Sequence, residues 1–410
     1  MFVFSKIKKS YKVLRNYNYL IQINNEYLRQ SFLLDKIINI GSLNTLKFDF
    51  NYFKQNVVKY LLKNKVGKDV FSYKYSDSSQ FPNIYSSFYA LMTYYYLSDL
   101  NLSKQQNLDW LNYFNSFQSS KDGLFYDNSI INDFFYNEDW WGARHLTAHL
   151  PAAFKVLGGK PKYDFYFLEP LYFKKNLIIW LETRKWDTRL DFVSNEIMNY
   201  GVLLQASREF FKNEKSAKSL NMMLDWLENN INQETGLWGF YDLINCDSLS
   251  KSIQAAYHIF LLFFYENREI PNNKKIIDLL IKSQNRLGGF GISLNSSACE
   301  DIDSIDPLIR FSIKSDYKIR DVKAVLNKAL IWVLSNQNND GGFVFRWNES
   351  FTYGHKEMFS NKNESSMFAT WFRTLCLGYL INYLYNKSIF NIGNSPGYSF
   401  WGGASNEYRI

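Results

Sequence analysis

Glu300, Asp301, Asp303 and Asp306 fall within seven residues, which crowds four carboxyl groups at the expected start of one helix. Acids there gain from the helix dipole and accept its free N–H groups, which accounts for one or two of them. Mutual repulsion among the rest should raise at least one pKa, and a carboxyl group kept protonated near neutral pH is a Brønsted acid. A second cluster holds His145 and His149, one helical turn apart, with Asp139, Trp140, Trp141 and Arg144 beside them. An i, i+4 His pair can bind metal, but without a third close ligand it is expected as hydrogen-bonded core or cavity, and no metal is expected. Trp140 and Trp141 could stack on a sugar, stabilise a carbocation or simply pack. In a third cluster Glu364 caps a helix, and Trp371 and Arg373 follow. Arg373, flanked by apolar residues, needs an acidic partner or an anionic ligand, and Asp301, Asp303 and Asp306 are the candidate partners. Tyr257 with His258 reads as core with a cavity contact.

These groups must be positioned by a repeat. The segments starting at Trp110, Trp226, Leu280 and Trp332 share one plan: an amphipathic helix end, a polar stretch usually with Gln, a Gly turn and an aromatic. Gly123, Gly236, Gly289 and Gly342 are 113, 53 and 53 residues apart. The double gap predicts a degenerate copy, and the segment from Trp180 fills it without the glycine. Glycine supplies positive φ after the last helical turn, and the following Phe or Trp folds back onto the helices. Helices before the stops, near 52–64, 103–117, 168–184, 216–231, 273–284 and 320–336, are polar on one face and belong outside. The second helices, at 86–97, 141–157, 195–211, 249–265, 301–312 and 365–384, are apolar nearly all round and belong inside. Six inner and six outer helices predict an all-α (α/α)6 toroid over 49–386 around a central cavity. Residues 1–48 form an N-terminal helical extension, and the Gly- and Ser-rich tail, 387–410, could plug one mouth.

The Gln-x-x-x-Gly-Gly-Phe-Gly turn at 284–291, followed by Asp301-Ile302-Asp303-Ser304, resembles the terpenoid cyclase and protein prenyltransferase superfamily. That resemblance spans the repeat over roughly residues 50–385. In its class II cyclases an Asp-x-Asp-Asp motif opens an inner helix, and the middle Asp protonates an alkene or epoxide. By this resemblance Asp303 is the proton donor, Asp301 the first Asp, and Ser304 replaces the last. The cyclases usually have two helical domains, whereas this chain has room for one. The prenyltransferase zinc site is not reproduced: Cys299 precedes Asp301, and no His falls at the late ligand position. The resemblance implies an enzyme with an aromatic cavity for a long apolar, isoprenoid substrate, Asp303 as general acid, and Asp301 and His145 tuning it. The residues alone leave two alternatives open. One is a glycan hydrolase, lyase or epimerase using paired carboxylates, with Arg144 or Arg373 on a uronate and the tryptophans stacking. The other is a non-catalytic binding scaffold.

Composition excludes several classes. The net charge of +8 is concentrated at Lys6, Lys8, Lys9, Lys12 and Arg15, so no basic stripe suits nucleic acid. That arm, with Phe2, Phe4, Tyr11 and Leu14, could rest on an anionic membrane surface. No stretch reaches the roughly 18 apolar residues of a spanning helix, and the opening is not a secretory signal. Three widely spaced cysteines do not make a disulfide framework, and a cytoplasmic protein without cofactor is expected. Aromatic residues are 19% of the chain, which an AT-rich genome explains, so that content alone does not point to a ligand cavity.

Overall fold

The computed structural model describes residues 21–22, 25–26, 28–40, 48–132, 140–239, 246–291, 293–386 and 388–398. The basic arm and Asp139 lie outside them. Twelve α-helices alternate along the described ring. The outer ones are α1 (Phe50–Lys63), α3 (Lys104–Ser116), α5 (Lys174–Glu182), α7 (Glu214–Asn229), α9 (Asn273–Lys282) and α11 (Ile319–Ser335). The inner ones are α2 (Ile84–Tyr96), α4 (Ala143–Val156), α6 (Leu190–Phe211), α8 (Cys246–Tyr265), α10 (Ala298–Ile313) and α12 (Met367–Leu384). Each inner helix packs on the next, and α12 returns to α2, so the inner ring is closed. The fold is therefore the all-α toroid that the burial pattern predicts. Every residue of α12 from Met367 to Ile381 is buried, whereas α1 buries only Phe53, Val57, Tyr60 and Leu61.

The turns between outer and inner helices explain the repeated Gln and Gly. Gln118 Nε2 donates to the carbonyls of Gly123 and Tyr163, and its Oε1 accepts the Tyr163 N–H. Gln284 Nε2 likewise bridges Gly288 and Val325, and Gln337 Nε2 reaches Gly341. One amide thus satisfies its own turn and the neighbouring hairpin. In the two double-glycine turns the left-handed residue is the first glycine, Gly288 or Gly341, and not Gly289 or Gly342 as the sequence suggested. The second is needed for space. A Cβ on Gly289 would lie 2.6 Å from Trp332 Nε1, and one on Gly342 2.6 Å from Tyr60 Cδ2. The fold-back of the aromatics is visible as indole N–H bonds to outer-helix carbonyls: Trp186 to Leu181, Trp238 to Leu227 and Trp347 to Ser335.

Gly341 also closes the ring, because it abuts the carbonyl of Asn56 on α1. Residues 28–40 lie outside, with Phe32 edge-on to Trp347 and Lys36 4.0 Å over that indole. Between α11 and α12 a two-stranded hairpin, β1 (Phe351–Thr352) and β2 (Phe359–Ser360), rises on the N-terminal side of the inner helices. Among the described residues no helix is long and apolar enough to cross a membrane.

Gly341 has φ +91° and leaves 1.9 Å between an added Cβ and the Asn56 oxygen. Gly67 has φ +69° and nothing within 4 Å of its Cβ position. Gly67→Ala should therefore lose only the left-handed backbone penalty, about 1 kcal/mol. Gly341→Ala should lose several times that in urea unfolding, because the clash is with backbone. Equal losses would show that the contact with α1 does not hold the ring shut.

Candidate functional site

The acids come to the centre because α10 begins with a complete capping box. Ser297 Oγ accepts from Glu300 N, and Glu300 Oε2 accepts from Ser297 N. Glu300 also pairs with Arg346 at 2.8 Å. Asp301 is wholly buried and receives the Phe290 N–H, the Ser296 hydroxyl, the Trp332 indole N–H and Arg373 Nη1, the last at 2.7 Å. Arg373 is equally buried and additionally donates to the carbonyls of Val344, Ser296 and Phe345. Its partner is thus Asp301, and four of its five N–H donors are bonded within the fold. Asp306 holds Arg310 at 2.5 Å and accepts the Tyr257 hydroxyl at 2.7 Å. Burial lifts Asp301 and Asp306 above the ordinary carboxylate range, and Arg373 and Arg310, respectively, work against that lift.

Asp303 is different. It is 2% exposed and makes no hydrogen bond or ion pair among the described residues. Burial is the first cause that holds its carboxyl well above the usual range, followed by repulsion from Glu300, Asp301 and Asp306. The expectation rested on repulsion alone, yet removal from water contributes more.

The repeat explains which way Asp303 faces. The N–H of the turn aromatic bonds the inner helix at one recurring station: Phe125 to Thr147, Phe343 to Thr370, and Phe290 to Asp301. Asp301 therefore stands where two other hairpins carry threonine. Two residues on, at the next station, lie His149, Phe372 and Asp303. His149 is on the second inner helix and Asp303 on the fifth, opposite each other in a ring of six.

Proton positions on α4 follow from donor counts. Tyr85 Oη donates its one proton to the Trp141 carbonyl at 3.0 Å, so at 2.7 Å it accepts from His145 Nδ1. His145 Nε2 is then bare and accepts from Tyr353 Oη on the hairpin at 3.2 Å. His149 Nδ1 must donate to the His145 carbonyl at 2.9 Å, which leaves its buried Nε2 as a lone-pair acceptor without a partner among the described residues. Burial holds His145 well below its ordinary pKa and His149 and His258 at about 4. All three rings are neutral at pH 7. No group of three or more metal-binding side chains occurs among the described residues.

The remaining sequence candidates are distributed as follows. Trp371 stacks on Tyr89 at 4.8 Å and donates to Tyr96 Oη. Trp141 is fully buried, stacked on Tyr85 at 5.5 Å with Gly354 on its ring, so it offers no open stacking face. Trp140 packs edge-on to Phe192, and Arg144 lies 6.0 Å over Tyr200. His258 Nδ1 is 3.0 Å from Ser194 Oγ. Glu364 does not cap α12; Ser366 does, by accepting from Ala369 N. Glu364 instead accepts from Ser78 N, Ser78 Oγ and Asn361 N and ties two loops together. The sequence reading did not single out Tyr85, Tyr89, Tyr353 or Tyr398. Tyr85 and Tyr89 open an inner helix, a position that could have flagged them, whereas Tyr353 and Tyr398 arrive from a hairpin and the tail.

No family model matches the chain, and no curated protein does. Solved structures with a similar helical course include a GH76 α-mannanase from Bacteroides thetaiotaomicron, 14% identical, covering 86% of this chain and 98% of that one with a TM-score of 0.44. A polysaccharide lyase is 9% identical, with 82% and 98% covered and a TM-score of 0.46. An unsaturated glucuronyl hydrolase variant from Streptococcus agalactiae is 12% identical, with 85% and 94% covered and a TM-score of 0.44. At these scores the likeness carries no argument about substrate or reaction.

Two stability predictions follow from the charges. Arg373→Met strands Asp301 as a buried unpaired acid and should cost about 3–5 kcal/mol in urea unfolding, with part regained by adding Asp301→Asn. Asp303 has a raised folded pKa, so its contribution is most favourable below its unfolded pKa of about 3.9 and is lost as pH rises through the folded value. Asp303→Asn should accordingly raise the melting temperature at pH 7 to 8, with the gain shrinking toward pH 4. A gain independent of pH would mean that Asp303 is ionised in the fold.

Proposed function

We propose that the chain is an enzyme acting on a polyhydroxylated substrate, a glycan, with Asp303 as proton donor and His149 as proton acceptor. The observation that carries this reading is an unpaired Asp303, its carboxyl held well above the usual range by burial, opposite the bare Nε2 of His149 at equivalent stations of facing inner helices. A buried polar atom without a partner costs about 1–3 kcal/mol. His149 Nε2 and the Tyr89 hydroxyl both stand in that condition among the rings of the inner helices. A sugar with hydroxyl groups at many angles relieves that cost, and a hydrocarbon does not.

In the proposed reaction Asp303 gives its proton to the glycosidic oxygen as the C–O bond breaks and the leaving sugar departs as an alcohol. Positive charge developing on the sugar ring is met by the faces of Tyr89, Phe368 and Trp371. His149 Nε2 takes the proton of the incoming water. Asp301, Asp306 and Glu300 are engaged with Arg373, Arg310 and Arg346, which leaves Asp303 the uncompensated acid among the four. Tyr353 and His145 hold the hairpin against α4.

The isoprenoid cyclase reading keeps one supporting observation, the aromatic wall of Tyr89, Phe368, Trp371 and Phe372. There Asp303 would protonate an alkene. Melting temperature against two panels separates the readings, since a ligand of the native state raises it. Neutral and acidic oligosaccharides should raise it, and isoprenyl alcohols and diphosphates should not. The reverse pattern makes the cyclase reading the better one, and no shift with either panel favours a scaffold. On a converted substrate, Asp303→Asn should lower kcat about 10²–10⁴-fold. The acid limb of the rate profile should lie near pH 4, where His149 takes a proton. An unchanged kcat in Asp303→Asn overturns the assignment.

A further inference from the structure

The chain beyond α12 turns back into the ring. Asn382 grips it first, donating to the Phe390 carbonyl and accepting the N–H groups of Ile389 and Phe390. Asn391 N then donates to the carbonyl of Tyr96, the last residue of α2, at 2.9 Å. Gly393 passes so close to Tyr95 that a Cβ would sit 2.4 Å from its hydroxyl oxygen. The segment therefore approaches from the C-terminal ends of the inner helices, opposite to the side on which Asp303 opens α10. Ser395, Pro396 and Gly397 are buried. Gly397 adopts φ +88°, and its Cβ position lies 3.8 Å from the Ala148 carbonyl oxygen and 3.9 Å from Val202.

Tyr398 follows and stands among four inner helices. Its ring centroid is 6.0 Å from His149 on α4 and 6.1 and 6.2 Å from Tyr257 and His258 on α8. It is 5.9 and 5.1 Å from Trp371 and Phe372 on α12. Burial raises the Tyr398 hydroxyl first, and the Asp303 carboxyl on α10 is close enough to act on it electrostatically as well. His149, Phe372 and Asp303 occupy one station of the repeat, so the Tyr398 ring lies at the level of the acid and its facing base. Hydrogen bonds to backbone hold the segment that carries it, which makes this ring a fixed wall.

We infer that Tyr398 is the floor of the site and sets its depth, so that the ring accepts the end of a glycan chain and does not let a chain pass through. This rests on the glycan reading for the nature of the ligand, but the placement of Tyr398 does not.

The test uses the full chain with Tyr398→Ala and Tyr398→Phe. Oligosaccharides of increasing length, from the series that shifts the wild-type melting temperature, are compared on all three proteins. Wild type and Tyr398→Phe should reach their full shift at the same short length, and Tyr398→Ala should go on gaining with at least one further sugar unit. Equal length dependence in wild type and Tyr398→Ala overturns the inference. Because removing a ring from the centre could destabilise the fold, 4-methylphenol is added to each protein as a replacement for the missing side chain. It should raise the melting temperature of Tyr398→Ala by several degrees and leave wild type unchanged. If no oligosaccharide shifts wild type, the glycan reading fails while the floor is still decided by this probe: a rise confined to Tyr398→Ala keeps it, and no rise rejects it.

Discussion

The ion pair between Asp301 and Arg373 organises everything around it. Neither side chain touches water, and such a pair stands only if its remaining donors and acceptors are also satisfied. Here all but one N–H of Arg373 are met, by Asp301 itself and three carbonyls, and Asp301 is held further by the turn before α10, the indole of α11 and the Ser296 hydroxyl. The fifth hairpin is thereby welded to the last inner helix at the point where the acids enter the centre. Threonine fills the same station in two other hairpins with a neutral bond. An acid at that station needs a buried cation, and Arg373 supplies it.

That weld leaves Asp303 without a partner, and burial first, then the neighbouring acids, hold its carboxyl well above the usual range. Asp301 holds an arginine on the neighbouring α12, Asp306 one on its own helix, and Glu300 a third at the rim. With three carboxyl groups compensated, the fourth faces their negative charge in a site from which water is largely removed. On the opposite wall the histidines are pushed the other way by the same burial. Their orientation is set by carbonyls and tyrosine hydroxyls, so no charge is required to hold them. Burial thus pushes one wall toward its protonated form and the other toward a bare lone pair, acting with opposite sign on an acid and a base.

Much of the ring was legible because inner and outer helices differ in the breadth of their apolar face, a property of single segments. The repeating Gln and Gly were legible too, although which glycine of Gly288-Gly289 is left-handed depends on the neighbouring Lys328 carbonyl and was misassigned. The acid cluster announced itself by density. Its internal division, with Asp301 structural in its contacts and Asp303 unpaired, was hidden, since it depends on Arg373 some seventy residues later. Glu364 shows the converse error: a local capping pattern lost to a bond with Ser78 across the ring seam. Tyr353 and Tyr398 carried no signal at all, because neither lies on a periodic element.

The seam itself bears on how such a chain comes to be folded. Gly341 meets Asn56, and Phe390 packs against Phe50 at 5.0 Å and Phe53 at 6.0 Å, so the first and last hairpins are immediate neighbours. During synthesis the early hairpins can stack on one another as they emerge, yet an arc of five still presents two apolar flanks to solvent. Only the sixth covers both. The exposed edges are thus lost only when the last hairpin docks, and a chain halted shortly before α12 would be the species most in need of a chaperone.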